Sequence, residues 1–282
     1  MTRLRTTALP GGVDLPVLGQ GTWRMGENAK SRKTEVDALR TGIELGMTLI
    51  DTAEMYADGG AEEVVGEAIK GQRDQVFIVS KFYPQNASPE KMRTACERSL
   101  KRLGTDRIDL YLLHWRGSVP LARTLEGFER LHADGKIRHA GVSNFDVEDM
   151  EELARLVGFD TIVANQVLYN LVRRGAQYDL LPWLRQRHRT TLAYSPIEEG
   201  RLTDARHHAL SEVAKRHEAT TSQVALAWVI RKDGVVAIPK SANAAHMREN
   251  RGAADLALTR GDLDELDVAF PAPSEPVPLE TR

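Results

Sequence analysis

Eight short apolar runs, separated by amphipathic stretches of helical length, constrain this chain more than any other feature. The runs are Val17–Thr22, Thr48–Thr52, Val76–Lys81, Leu110–His114, Ala140–Ser143, Ile162–Gln166, Thr191–Ser195 and Val235–Ile238. Brief runs of this kind read as strands buried on both faces, and a strand–helix–strand unit makes neighbouring strands parallel. Helices are expected at Thr34–Leu45, Glu62–Lys70, Pro89–Leu103, Leu121–Ala133, Val147–Val157, Tyr178–Gln186 and Ser222–Arg231. Ser88 offers an N-cap before Pro89, and Gly104 stops the same helix. Thr34 starts, and Gly46 ends, the helix before the second run. So many regular alternations favour a closed barrel over an open sheet. The expected fold class is therefore α/β, a (β/α)8 TIM barrel occupying residues 1–282 as one domain. A hairpin turning near Pro10-Gly11-Gly12 precedes it, and extra C-terminal helices are expected at Ala209–Glu218 and Leu263–Val268.

Composition narrows the class. A chain of 282 residues with 41% hydrophobic and 28% charged residues can bury a full core. A net charge of −2 suggests neither a nucleic-acid partner nor a membrane surface. No run approaches a membrane span in length, and the first residues lack the apolar core of a secretion signal. Cys96 is the one cysteine, so no intrachain disulfide can form. A cytoplasmic enzyme is the expectation, with Cys96 an inert thiol on a helix.

Four polar residues stand at or just beyond the ends of three runs: Asp51, Tyr56, Lys81 and His114. In a parallel barrel these ends share one mouth. An acid, a phenol, an ammonium and an imidazole are what a site needs to protonate a carbonyl while hydride arrives from elsewhere. Tyrosine, with an ordinary pKa of about 10, is a poor acid at neutral pH. Lowering it by about three units takes roughly 4 kcal/mol, and a lysine at ~4 Å supplies about that at an effective dielectric near 20. Lys81 is thus expected to lower the Tyr56 pKa, Asp51 to keep Lys81 charged, and His114 to orient the carbonyl oxygen. Taken singly, each residue could be a cap, a core aromatic or a satisfied polar group. Four complementary types on one face is a pattern that such local reasons do not produce.

The wording around these residues resembles the aldo-keto reductase family. Asp51-Thr-Ala-Glu-Met-Tyr56, with Glu62-Glu-Val-Val-Gly66 after it, is similar to the family's signature. Ser80-Lys81, Leu112-Leu-His-Trp115, Gly141-Val-Ser-Asn144 and Ile238-Pro-Lys-Ser241 follow in the family's order. The likeness spans about residues 13 to 270, and its bacterial methylglyoxal-reductase-like branch is the nearest in wording. It implies a barrel reductase acting on small aldehydes, ketones or α-dicarbonyls, with NADPH as hydride donor and Tyr56 as proton donor.

The same resemblance implies a cofactor site. A Rossmann fingerprint is absent, since Arg24 stands where the third glycine after Gly19 and Gly21 belongs. Ser143, Asn144 and Gln166 match the residues that hold the nicotinamide amide, Tyr194 the aromatic stacked on it, and Ser195 and Ile197 the adjoining loop. Thr22 and Asp51 join this set. Lys240 and Ser241 precede a helix beginning near Asn243, where backbone N–H groups favour phosphate. They match the residues that hold the 2′-phosphate, and Glu249 and Asn250 those at the adenine. His246 stands where many relatives carry arginine, which leaves NADH as an alternative donor.

Trp23, Tyr83 and Trp115, with His114, match the aromatic substrate pocket. The twelve residues after Phe270 are too few for a large lid, so an open site is expected. The His207-His208 pair and His217 lack ligand spacing for a metal. Arg185-Gln-Arg-His-Arg189 reads as a charged helix end, and Glu198-Glu199 as loop carboxylates without defined separation. A monomer is the family default. The rival reading is a cofactor-binding sensor or regulatory subunit on the same fold.

Overall fold

The computed structural model describes residues 3–203 and 207–282. An antiparallel hairpin of β1 (Thr6–Ala8) and β2 (Asp14–Pro16) leads into eight parallel strands. These are β3 (Gln20–Gly21), β4 (Leu49–Asp51), β5 (Phe77–Phe82), β6 (Ile108–Leu113), β7 (Ile137–Ser143), β8 (Ile162–Leu168), β9 (Thr190–Tyr194) and β10 (Val235–Ala237). Each pairs with the next in chain order from β3 to β10. Hydrogen bonds from Gly19 N to Ala237 O (2.8 Å), Ala237 N to Val17 O (2.9 Å) and Gly21 N to Pro239 O (2.9 Å) bring β10 back against the first run. The sheet thereby curls into the expected barrel.

This seam explains two glycines that imitate half of a dinucleotide fingerprint. A Cβ on Gly19 would lie 2.7 Å from the Leu49 side chain, and one on Gly21 would lie 2.8 Å from Ile238 O. They permit close backbone approach where the barrel closes. The run expected at Val17–Thr22 therefore divides its bonds between two neighbours, and paired strand structure is confined to Gln20–Gly21.

Helices α1 (Arg32–Glu44), α2 (Gly60–Ala68), α3 (Pro89–Leu103), α4 (Leu121–Ala133), α5 (Val147–Ala154), α6 (Leu180–Gln186), α7 (His208–Arg216), α8 (Thr221–Ile230), α9 (Ala244–Gly252) and α10 (Arg260–Ala269) surround the strands. α3 has Pro89 in its first turn and ends at Gly104 in the left-handed region, φ 63°. α8 begins with a capping box between Thr220 and Gln223. α1 begins before Thr34, at Arg32.

Strand alternation divides the core into two. Leu49, Val79, Leu110, Leu112, Leu192 and Val236 form an inner cluster with Leu9 and Leu15 from the hairpin, which packs into the barrel interior. Tyr111, Leu113, Phe82 and Phe128 belong to the larger layer between strands and helices. Each such large side chain contributes about 1.5–3 kcal/mol when fully buried. Cys96 lies in this layer, and burial pushes its thiol up to about 12. No helix among the described residues is long and apolar enough to cross a membrane.

Candidate active site

Parallel strands place Asp51 at the end of β4, Lys81 near the end of β5, and His114 directly after β6. Tyr56 begins a single 3-10 turn after β4. The chain then passes through Ala57 and Asp58, both at φ 50°, and Gly59 at φ 90°, before entering α2. Left-handed backbone at two non-glycine residues is strained, and such strain persists where surrounding structure over-determines it. Gly59 has a steric reason as well, for its Cβ would lie 2.4 Å from the Arg102 side chain.

Lys81 is fully buried and spends its three N–H bonds on three acceptors. Nζ donates to Asp51 Oδ2 at 2.9 Å, to Thr52 O at 2.8 Å and to Tyr56 Oη at 3.1 Å. Burial pushes the ammonium pKa down, but Asp51 and then Tyr56 oppose it, and the net direction is upward. Burial also raises the Asp51 carboxyl, against the pull of Lys81 and Gln166.

Tyr56 differs from expectation. Lys81 does pull its pKa down, but burial is the larger effect, Asp51 adds to it, and the phenol ends above its ordinary value. His114 goes the other way: burial, then Lys81, lowers its imidazole to about 3. It is neutral at physiological pH. Its backbone N–H donates to Phe82 O at 3.1 Å, and its ring meets Tyr56 edge-on at 5.9 Å.

A cavity of about 310 Å3 lies at the opposite end of the barrel, but the cavity above Tyr56 is larger, about 560 Å3. Asp51, Tyr56, His114, Trp23, Ser143, Asn144, Gln166, Tyr194, Ser195, Ile197 and Lys240 line it. The polar groups are held in place. Asn144, left-handed at φ 59°, donates to His114 O at 3.2 Å and accepts from Tyr194 Oη at 2.9 Å. Ser143 Oγ donates to Gln166 O at 2.9 Å, and Gln166 Nε2 donates to Asp51 Oδ1 at 2.7 Å. Tyr194 is a neutral phenol, with burial raising it to about 12.

The Aldo/keto reductase family model matches residues 17–269. The chain belongs to the aldo/keto reductase family.

It is 54% identical over 273 residues to methylglyoxal reductase YeaE of Escherichia coli strain K12, covering 96% of each chain. It is 35% identical over 266 residues to glyoxal reductase of Bacillus subtilis strain 168, covering 93% of this chain and 92% of that one. Among solved structures, it superimposes with a TM-score of 0.96 on a Klebsiella pneumoniae aldo/keto reductase in complex with NADP and acetate. The two are 49% identical, with 99% of this chain and 100% of that one covered.

Not every residue matched to the family's pattern reaches the cavity. Thr22 is buried beside it, with Oγ1 donating to Asp51 O at 2.9 Å. Tyr83 and Trp115 meet edge-on at 5.9 Å behind His114, outside the cavity lining. Glu54 fixes the Tyr83 loop by accepting from Tyr83 N and Asn86 Nδ2, both at 2.8 Å. Ser241, His246, Glu249 and Asn250 lie beyond Lys240 and do not line the cavity. Ser241 Oγ accepts from Asn243 N at 3.1 Å, organising the start of α9, while Glu249 accepts from Thr220 Oγ1 at 2.7 Å. Asn243 is the N-cap expected of it, accepting from Ala245 N at 2.7 Å.

Arg24, Met55, Glu199 and Arg282 are among the lining residues that were not foreseen. Arg282 reaches the wall from the proline-rich segment, pairing with Glu198 and with Glu199 at 2.7 Å. The segment expected to leave the site open thus contributes to its rim. Glu198 is buried beneath, accepting from Asn170 Nδ2 at 2.7 Å and from Arg173 Nε at 3.2 Å. Its burial amid polar partners is a tertiary signal that no local pattern carries.

Proposed function

We propose that this enzyme reduces small aldehydes, ketones and α-dicarbonyls, methylglyoxal among them, to alcohols with NADPH. The observation that carries the reading is the Asp51–Lys81–Tyr56 chain of hydrogen bonds ending on the cavity that His114 also lines.

The cavity suits the cofactor. It runs from Tyr56 past three immobilised amide and hydroxyl groups, those of Ser143, Asn144 and Gln166, to the cation of Lys240 ahead of α9. Those groups fit the carboxamide end, Tyr194 fits a stacked ring, and Lys240 fits a phosphate. NADPH bound there supplies hydride to the carbonyl carbon. The relatives support the same chemistry: methylglyoxal and glyoxal reductases among them, and NADP in the Klebsiella structure.

Each side chain then has a task. His114, neutral, donates a hydrogen bond to the carbonyl oxygen and fixes its approach. Tyr56 Oη gives that oxygen its proton. The phenolate left behind is stabilised by Lys81, whose charge Asp51 maintains. Trp23, which meets Tyr56 edge-on at 4.9 Å, forms an apolar wall for the substrate. A monomer is the working unit in this reading. The cytoplasm, where the nicotinamide pool resides, is the compartment this reading implies.

The test is NADPH consumption with methylglyoxal by wild type and Tyr56→Phe. Turnover in wild type and a drop of about 10²–10⁴-fold in the variant is expected for loss of a general acid. Tight NADPH binding without turnover of any carbonyl would instead favour a regulatory binding protein.

A further inference from the structure

At the end of the barrel opposite the reductase site, a cavity of about 310 Å3 opens between α6 and the turn joining α8 to β10. Arg185, Arg189, Arg231 and Lys232 line it, with Asp233 as the one carboxylate among its lining residues. In sequence, Arg185–Arg189 reads as a charged helix end. Arg185 is exposed there, while Arg189 is partly buried, and both line the cavity.

Most arginines of this chain meet carboxylates, but these cations largely do not. Arg185 and Lys232 make no hydrogen bond or ion pair to a carboxylate among the described residues, and Asp267 acts on Lys232 only from a distance. Arg231 lies 3.7 Å from the Trp228 ring centroid and donates to Trp228 O rather than to an acid. Arg189 meets Asp160 at 3.3 Å from one nitrogen, while its Nε is buried without a partner.

Helix ends do not account for the excess. The α6 carbonyls of Leu184 and Arg185 already accept from the backbone N–H groups of Arg187, Arg189 and His188. The cations crowd one another instead. Burial, then Arg231, Arg174 and Arg185, depresses the Lys232 pKa against the weaker pull of Asp267, and burial outweighs Asp160 at Arg189 and Tyr169 at Arg231.

We propose that this cavity binds a small phosphate-bearing anion, held by Arg185, Arg189, Arg231 and Lys232. Guanidinium forks match phosphate oxygens bidentately and an ammonium adds a point charge. A dianion balances the positive surplus that Asp233, Asp160 and the more distant Asp267 leave, in a volume smaller than the cavity offered to the dinucleotide.

The test is calorimetric titration of inorganic phosphate and inorganic pyrophosphate into protein saturated with NADPH, which fills the phosphate positions at the other mouth. Ionic strength is held constant with sodium chloride. A single saturable site is expected, tighter for pyrophosphate, and about tenfold or more weaker in Lys232→Gln and in Arg185→Gln. Circular dichroism and unchanged NADPH affinity verify that both variants are folded. In addition, Lys232→Gln without anion should melt no lower than wild type, because one like charge has gone. Absence of saturable heat in wild type overturns the proposal. So does equal affinity in wild type and both variants, or a lower melting temperature that anion does not distinguish from wild type's response.

Discussion

Gln166 Nε2 donates to Asp51 Oδ1 at 2.7 Å, so the residue proposed to hold the nicotinamide amide also holds the acid beside Lys81. Oδ2 of the same carboxylate accepts from Lys81. In the proposed mechanism, cofactor recognition and proton supply would therefore share one carboxylate. If Gln166 only held cofactor, its loss would raise KM for NADPH and leave the rate at saturating NADPH intact. Gln166→Leu is instead expected to lower that saturated rate by about tenfold as well, the equivalent of one lost hydrogen bond to a charged group. Single-turnover kinetics at saturating NADPH decides between the two; an unchanged rate would sink the coupling.

The buried ion pair gives a stability prediction whose sign depends on which partners remain. Lys81→Met leaves Asp51 buried without a counter-charge, and about 3–5 kcal/mol of destabilisation is expected. Lys81→Met combined with Asp51→Asn removes both charges and should recover most of that loss. Neither protein should reduce carbonyls. Denaturant unfolding of the two variants checks this, and a double variant no more stable than the single would show that packing rather than charge dominates.

Much of the fold and the site was legible because its determinants are local. Pro89 and Gly104 bound α3 through backbone geometry, and α4 ends where its apolar period ends. Asp51, Lys81 and His114 were readable because a parallel barrel turns strand ends into a shared mouth. What escaped depends on closure in three dimensions. The sequence already excludes Gly19 and Gly21 from a dinucleotide fingerprint, but only the seam shows what they face. Arg282 and Glu198 are 84 residues apart, and no period connects them. The direction of the Tyr56 pKa was misread for a similar reason: the pairwise effect of Lys81 is visible in sequence order, whereas burial is a property of the whole surround.

That direction sets the pH response. With the Tyr56 phenol raised above its usual value, its proton stays available through the neutral range. Reductive kcat should be flat there and fall in alkaline solution, above about 10. Where chemistry is rate-limiting, verified by a deuteride isotope effect, a decline centred near neutrality would contradict proton donation by a buried phenol.

His114 carries a separate, acid-side signature. Its folded pKa is lowered to about 3 from 6.5, so below 6.5 the unfolded chain binds a proton that the folded chain refuses. The resulting stability is present above 6.5 and drains as pH falls towards 3. His114→Gln, which cannot take up a proton, should lose stability less steeply across that window. Melting temperatures of both proteins between these limits test it; parallel curves would mean His114 is charged in the folded state.

Lys240 distinguishes the two nicotinamide donors. It lines the cavity ahead of α9, where a 2′-phosphate would add charge that NADH lacks. Lys240→Met should raise KM for NADPH by about tenfold or more, a lost charge-assisted contact, and leave NADH nearly unaffected. Equal losses with both donors would remove Lys240 from the phosphate site.

The final prediction concerns the rim. Ser195, Glu198 and Glu199 all have positive φ, at 47°, 51° and 55°, so this loop is held in a conformation that such residues do not favour. What holds it is the buried Glu198 carboxylate, which takes Asn170, Arg173 and Arg282 as partners, with Arg173 also pairing Glu280 at 2.6 Å. Glu198→Ala removes the one acceptor that these three donors share, although each keeps another partner in Ser195 O, Glu280 or Glu199, and releases the strained run. Because Ile197, Glu199 and Gly200 of the same run line the cavity, NADPH should dissociate faster, by about tenfold for each 1.4 kcal/mol of lost closure. Arg282→Ala should show a smaller effect in the same direction, since Arg173 and Asn170 still hold Glu198. Stopped-flow displacement of NADPH measures both. If Glu198→Ala releases cofactor at the wild-type rate while folded, the loop is held by its apolar contacts and not by the carboxylate.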